Sequence, residues 1–171
     1  MLEGTELLRW WNIKQNDYDG GQIFGNTANT TNCLITARQL RNFEYARRAA
    51  EMSTFRVQVG AVAVAGKKIL STGWNSSKSH TTQYRFDQYR NFRNDGLCRN
   101  ALHAEIACLI PLLHNPEIDW SRVEVYVYRI RKDQPFGMAR PCAACMRALL
   151  DAGVRNIYYT SNNALISERI A

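Results

Sequence analysis

Leu102-His103-Ala104-Glu105-Ile106-Ala107-Cys108-Leu109-Ile110 and, further along, Pro141-Cys142-Ala143-Ala144-Cys145 are the two stretches on which the reading of this chain turns. One imidazole and two thiolates supply three zinc ligands, His103, Cys142 and Cys145. Three protein ligands with a fourth position open is the arrangement of catalytic zinc, whereas structural sites close with four. Glu105 lies two residues from the histidine, where a carboxylate can stand beside the open position and move protons without binding the metal. A lone Cys-x-x-Cys is weak evidence, since it also serves redox pairs and zinc knuckles. The two stretches together, with Pro141 directly before the first cysteine, are specific. A closed structural clip with Cys98, Cys108 or His114 as fourth ligand is the alternative, and it leaves Glu105 without a role.

Both stretches read as helix starts. The first is apolar nearly all round and is expected to be buried. Pro141 suits a first helical position, where its missing N–H costs nothing. Cys142 and Cys145 then share one face at i, i+3. Helix N-termini carry partial positive charge, which favours thiolates.

Working outward, residues 36–52 place Leu40, Phe43, Ala46 or Arg47, and Ala50 at near-helical spacing, with the arginines on a solvated face. Val57–Val64, the turn Ala65-Gly66-Lys67 and Ile69–Gly73 form a β-hairpin. A long polar loop spans 76–99. The helix that begins near residue 102 is interrupted at Pro111. Val123–Ile130 is a strand, residues 131–140 a basic loop, and Gly153 caps the Cys-x-x-Cys helix. Val154–Thr160 and Ala164–Glu168 form a second hairpin about a tight Asn162-Asn163 turn. Ten residues follow Ser161. A crossover helix with a parallel strand needs about ten to twelve or more, whereas an antiparallel hairpin fits. Residues 1–35 read as an irregular extension, with a short helix near Leu7–Ile13 and a turn at Asp19-Gly20-Gly21.

His103-x-Glu105 with Pro141-Cys142-x-x-Cys145 is similar to the signature of the zinc-dependent nucleobase deaminases, and the chain resembles the cytidine and deoxycytidylate deaminase superfamily from about residue 36 to its end. The resemblance implies an α/β fold: three α-β-α layers around a mixed sheet of about five strands, as one deaminase domain over 36–171. It implies one Zn2+ per chain and an Asn75 that contacts the substrate sugar after Gly73-Trp74. A turn former at a strand end is the plainer reading of Asn75. Ala104 and Pro141 are expected to line the same pocket. The C-terminal hairpin resembles that of the nucleoside cytidine deaminase branch, which also holds nucleic-acid deaminases, and the family often forms homo-oligomers.

The chain has 171 residues, a formal net charge of +7 and 46% hydrophobic residues. That length fits one domain with a sizeable core. No apolar run is long enough to span a membrane and the N-terminus has no signal-peptide pattern. Five cysteines, two of them assigned to metal, fit a reducing cytoplasm. The positive charge favours an anionic partner, or is an inert basic surface. Within 76–99, His80, Tyr84, Arg85, Phe86, Tyr89, Arg90, Phe92 and Arg93 interleave aromatics with arginines. Such a stretch can stack bases and meet phosphates, or pack as a helical lid. The resemblance to the deaminase superfamily implies hydrolytic deamination of cytosine in a free (deoxy)cytidine nucleoside or nucleotide as the expected activity, while the charge and this stretch point toward a polynucleotide. The alternatives are a cytosine deaminase on single-stranded DNA or RNA, an adenosine deaminase on a tRNA-type substrate, and an inactive zinc protein that binds nucleic acid.

Overall fold

The chain's structure, a computed structural model, describes residues 30–31, 35–90, 101–134 and 136–171. The expected helix near Leu7–Ile13, the 19–21 turn, Phe92, Arg93 and Cys98 lie outside them. The elements run β1 (Thr30–Thr31), α1 (Ala37–Glu51), β2 (Val59–Ala65), β3 (Lys68–Trp74), α2 (Thr81–Asp87), α3 (Ala104–Leu109), a 3-10 turn (Trp120–Arg122), β4 (Val123–Arg129), α4 (Ala143–Ala152), β5 (Asn156–Thr160) and β6 (Leu165–Arg169).

The strands form one sheet in the order β1-β6-β5-β4-β2-β3. Only the β4–β5 pairing is parallel; the others are antiparallel. The expected five strands are there, and Thr30–Thr31 add a two-residue edge ladder against Ser167 and Glu168. Because β4 and β5 are parallel, the chain between them must cross over, and α4 with its cysteines is that crossover.

Side-chain alternation along the strands separates two apolar layers. Val62, Val64, Tyr126, Tyr128 and Tyr158 face α1 and pack with Phe43 and Ala46. Ala61, Ala63, Val123, Val125, Val127, Ile157 and Tyr159 face the other way and pack with Ile106, Leu109, Ala148 and Leu149 of α3 and α4. The result is the three-layer sandwich expected from the resemblance.

Thr36 starts α1 with a capping box: its Oγ1 accepts from Gln39 N–H, and Gln39 Oε1 accepts from the Thr36 N–H at 2.8 Å. Arg47 departs from the expected solvated face. Its guanidinium is three-quarters or more covered and lies between Glu44 and Glu51, at 2.7 and 2.6 Å. The last hairpin forms about Asn162-Asn163 as expected, but with a different turn type. No non-glycine residue has a positive φ among those described, and a tight type I′ turn needs two. Asn162-Asn163 still form the tight connection, without type I′ backbone angles: Ser161 N–H donates to Ala164 O at 2.7 Å across them, and Ala164 N–H donates to Ser161 Oγ at 2.9 Å.

Two strand glycines set how closely the helices approach. A Cβ on Gly60 would lie 2.2 Å from Ala50 N, and one on Gly73 would lie 2.3 Å from Cys108 N and 2.6 Å from Ala104 O. The α3 backbone therefore rests directly on β3. Gly73→Ala should push α3 outward, because backbone atoms cannot rotate aside. A loss of about 1–3 kcal/mol is expected, the range for overpacking a tight core. Thermal unfolding should show it, together with reduced metal retention. Unchanged melting and full metal content would contradict this packing.

Candidate metal centre and active site

His103 is the N-cap of α3 and Cys142 the N-cap of α4; neither side chain makes a capping hydrogen bond. Both side chains are thereby left to turn toward each other. Cys142 Sγ lies 3.5 Å from His103 Nδ1, and Cys145 Sγ 3.3 Å from the same nitrogen. The ligand atoms of His103, Cys142 and Cys145 all fall within 4.8 Å of one another. Tetrahedral zinc, with bonds of about 2.0–2.1 Å to nitrogen and about 2.3 Å to sulfur, separates N and S ligands by roughly 3.6 Å. The observed spacing and the N/S/S donor set fit zinc. Among the described residues this is the one such cluster. Cys108 is instead on the buried face of α3, beside Ser71 of β3, and His114 is exposed. Neither supplies the fourth ligand of a closed clip.

Pro141 sits one residue ahead of the cap rather than in the first helical turn, since α4 begins at Ala143. The extended backbone of Cys142, ψ 170°, is what keeps it outside the helix. The approach to it is tied to the sheet. Ala139 N–H donates to Thr160 O at 2.7 Å. The Arg140 guanidinium grips Glu168 of β6 through Nε and Nη2, at 2.9 and 2.7 Å, which holds the Glu168 carboxyl below its usual range. On the other side, Leu102 N–H donates to Ser76 O and Lys78 O, both at 3.0 Å, and Ser76 N–H donates to Leu102 O. The residue before His103 is thus fixed to the chain that leaves β3.

Glu105, in the first turn of α3, is 6% exposed. Burial pushes its carboxyl up, against the opposing charge of His103. Burial resists charging of His103, but the Cys142 hydrogen bond and the Glu105 charge outweigh it and raise its pKa. The two thiols diverge. The hydrogen bond from Cys145 holds Cys142 down, at about 4, while burial pushes Cys145 well up.

The remaining expected site residues are placed differently from one another. Ala104 and Pro141 are buried beside the ligands. Asn75 lies next to the Ser76–Leu102 bridge. Its Oδ1 accepts from Val59 N–H at 2.9 Å and its Nδ2 donates to Val57 O at 2.8 Å. One N–H and one lone pair remain for a ligand. The stretch read as a loop at 76–99 contains the helix α2, started by His80, whose Nδ1 accepts from Thr82 N–H. Phe86, expected in a stacking platform or a lid, is 7% exposed and belongs to the same core as Ile106. Arg90 also turns inward, toward Asp87 at 3.7 Å, with its side chain 5% exposed. Tyr84 is 82% exposed, and the Arg85 guanidinium lies over the Phe86 ring. Reading the aromatics alone missed Gln83. It shares the buried face with Phe86 at i, i+3, a spacing visible in the sequence but masked by its polarity.

The model of the cytidine and deoxycytidylate deaminase zinc-binding region matches residues 37–161. A cytidine deaminase from Burkholderia pseudomallei superposes with a TM-score of 0.52 at 18% identity, over 76% of this chain and 91% of that one. The dCMP deaminase of cyanophage S-TIM5 in its apo form gives a TM-score of 0.48 at 22% identity, over 71% and 80%. Mycobacterium tuberculosis cytidine deaminase gives 0.45 at 18% identity, over 76% and 88%. No curated protein matches the chain. Among the described residues no helix is long and apolar enough to cross a membrane.

Zinc must displace the proton that burial holds on Cys145, and any proton on His103, so its affinity should rise with pH. Chelator competition between about pH 6 and about pH 8 should show tighter binding at the higher pH. Cys142→Ala and Cys145→Ala should each lose the metal and unfold more easily. A flat pH dependence, or full zinc in both variants, would contradict the ligand set.

Proposed function

Because this chain belongs to the cytidine and deoxycytidylate deaminase family, a family of zinc-dependent hydrolases, we propose that it converts cytosine to uracil in a free (deoxy)cytidine nucleoside or nucleotide. Water replaces the exocyclic amine, which leaves as ammonia. The observation that carries the reading is the buried Glu105 carboxyl beside His103, Cys142 and Cys145.

His103 Nδ1, Cys142 Sγ and Cys145 Sγ would hold the zinc. When bound, it supplies Lewis acidity that lowers the pKa of a water to about 7. Glu105 does the proton work. A carboxyl lifted by burial can accept a proton from the attacking water and return it to the ring nitrogen and then to the departing amine. The same burial keeps bulk water from competing and strengthens each electrostatic contact in the pocket. Asn75, with one N–H and one lone pair left over, is proposed to meet the sugar; Ala104 and Pro141 are proposed to line the base pocket.

The inward packing of Phe86 and Arg90 favours a free substrate, because side chains turned into the core offer no strand-binding surface. Exposed Tyr84 beside Arg85, with the net charge of +7, favours the second reading, a cytosine in single-stranded nucleic acid.

Glu105→Gln should retain zinc and fold, and lose turnover by about a hundredfold to ten-thousandfold, the reach of general acid–base catalysis. Near-normal turnover would overturn the proton role. Cytidine, deoxycytidine, their monophosphates, a cytosine-containing oligonucleotide and the adenine counterparts, incubated in parallel, separate the substrates. Ammonia and uracil products are expected from the free cytosine compounds. In that case Tyr84→Ala should leave turnover little changed. Product from the oligonucleotide alone, lost in Tyr84→Ala, would transfer the activity to polynucleotide.

A further inference from the structure

The N-cap of a helix leaves its own backbone N–H without an intrahelical partner. In α1 the chain solves this locally: the N3 residue Gln39 accepts from the Thr36 N–H. In α3 it cannot. The N3 residue is Ile106, fully buried in the core, and the cap side chain is His103, committed to the metal. The missing acceptor comes from another element. Gln83 of α2 accepts from the His103 N–H through Oε1 at 3.0 Å. Its Nε2 donates to Asp87 Oδ1 at 2.8 Å, and the Arg90 guanidinium lies 3.7 Å from that same oxygen. Gln83 and Asp87 are 2% and 6% exposed.

A buried polar chain of this kind is costly unless each member is satisfied. This one ends on the backbone of a metal ligand. We infer that Gln83 is a positioning residue for the zinc centre: held by Asp87, it fixes the His103 backbone and so the direction of Nδ1, and it couples helix α2 to metal binding. With the N–H held by Gln83 and the carbonyl accepting from Ala107 N–H at 2.9 Å, His103 retains freedom only about its side-chain bonds. The coupling is reciprocal, because what orders the ligand for zinc must itself be ordered by zinc. The inference stands on the metal centre alone, whichever cytosine compound is the substrate.

Gln83→Leu removes the acceptor while keeping the bulk. Zinc affinity by chelator competition should fall about tenfold or more, as for other partners that orient metal ligands. The visible absorption of the Co2+-substituted protein should shift, reporting altered ligand geometry. Affinity and spectrum unchanged in Gln83→Leu, with only the melting temperature lowered, would reduce Gln83 to a packing residue and overturn the inference. Should Gln83→Leu fail to fold, hydrogen exchange on the native protein decides. Removing zinc should speed exchange of the 81–87 amides along with those of 103–109, and unchanged 81–87 exchange would overturn the coupling. A native protein that binds no zinc would overturn the metal assignment as well, so the two failures are distinct.

Discussion

Three ligand atoms from two helix starts must meet around one point, and much of the architecture answers to that constraint. His103 and the two cysteines are far apart in the chain. They meet because α3 follows the β2–β3 hairpin while α4 is the crossover between the parallel strands β4 and β5. Both helices pack on the same face of the sheet. The crossover of a parallel pair is almost always right-handed, so the face that receives α4 is set by topology. Each N-terminus then brings a ligand residue that caps nothing, since its side chain is spent on the metal site.

How tightly that face is built depends on glycine. Gly60 and Gly73 lie on neighbouring strands and point to opposite faces, toward α1 and α3 respectively. Neither has a positive φ. What selects glycine at both is the space a side chain would fill. Without a Cβ at 73, the first turn of α3 can sit on β3, and the Ser76–Leu102 bridge can tie the next stretch of chain to the residue before His103.

The same region concentrates polar groups that a core would otherwise exclude. Glu105 is buried, and Gln83 and Asp87 lie close by within α2. An isolated carboxylate there is strongly disfavoured, which is why burial lifts Glu105 and why its charge is felt at His103. A group suited to taking and releasing protons is one that the fold holds in a medium hostile to its charge. The hydrogen bonds of Gln83 satisfy its own amide and the His103 N–H, so the disfavoured buried charge is that of the Glu105 carboxyl.

The His103, Cys142 and Cys145 cluster and the place of Glu105 beside it were legible in the chain itself, because zinc demands particular donor types and the spacing His-x-Glu and Cys-x-x-Cys is local to single helix turns. The amphipathic α1, the hairpins and the Gly153 cap were legible for the same reason: period and turn chemistry act over a few residues. Tertiary structure alone decided the rest. The 76–99 stretch left a base-stacking loop and a helical lid open, and tertiary packing chose helix α2, since Gln83 and Phe86 form a buried face only once the core is there to cover them. Asn75 is drawn to the backbone of Val57 and Val59, 18 and 16 residues away in the chain, beyond the reach of any local pattern. Gln83 meets His103 across 20 residues of sequence. No periodicity encodes that contact; it exists because an apolar Ile106 leaves a buried N–H that only a side chain from another element can satisfy.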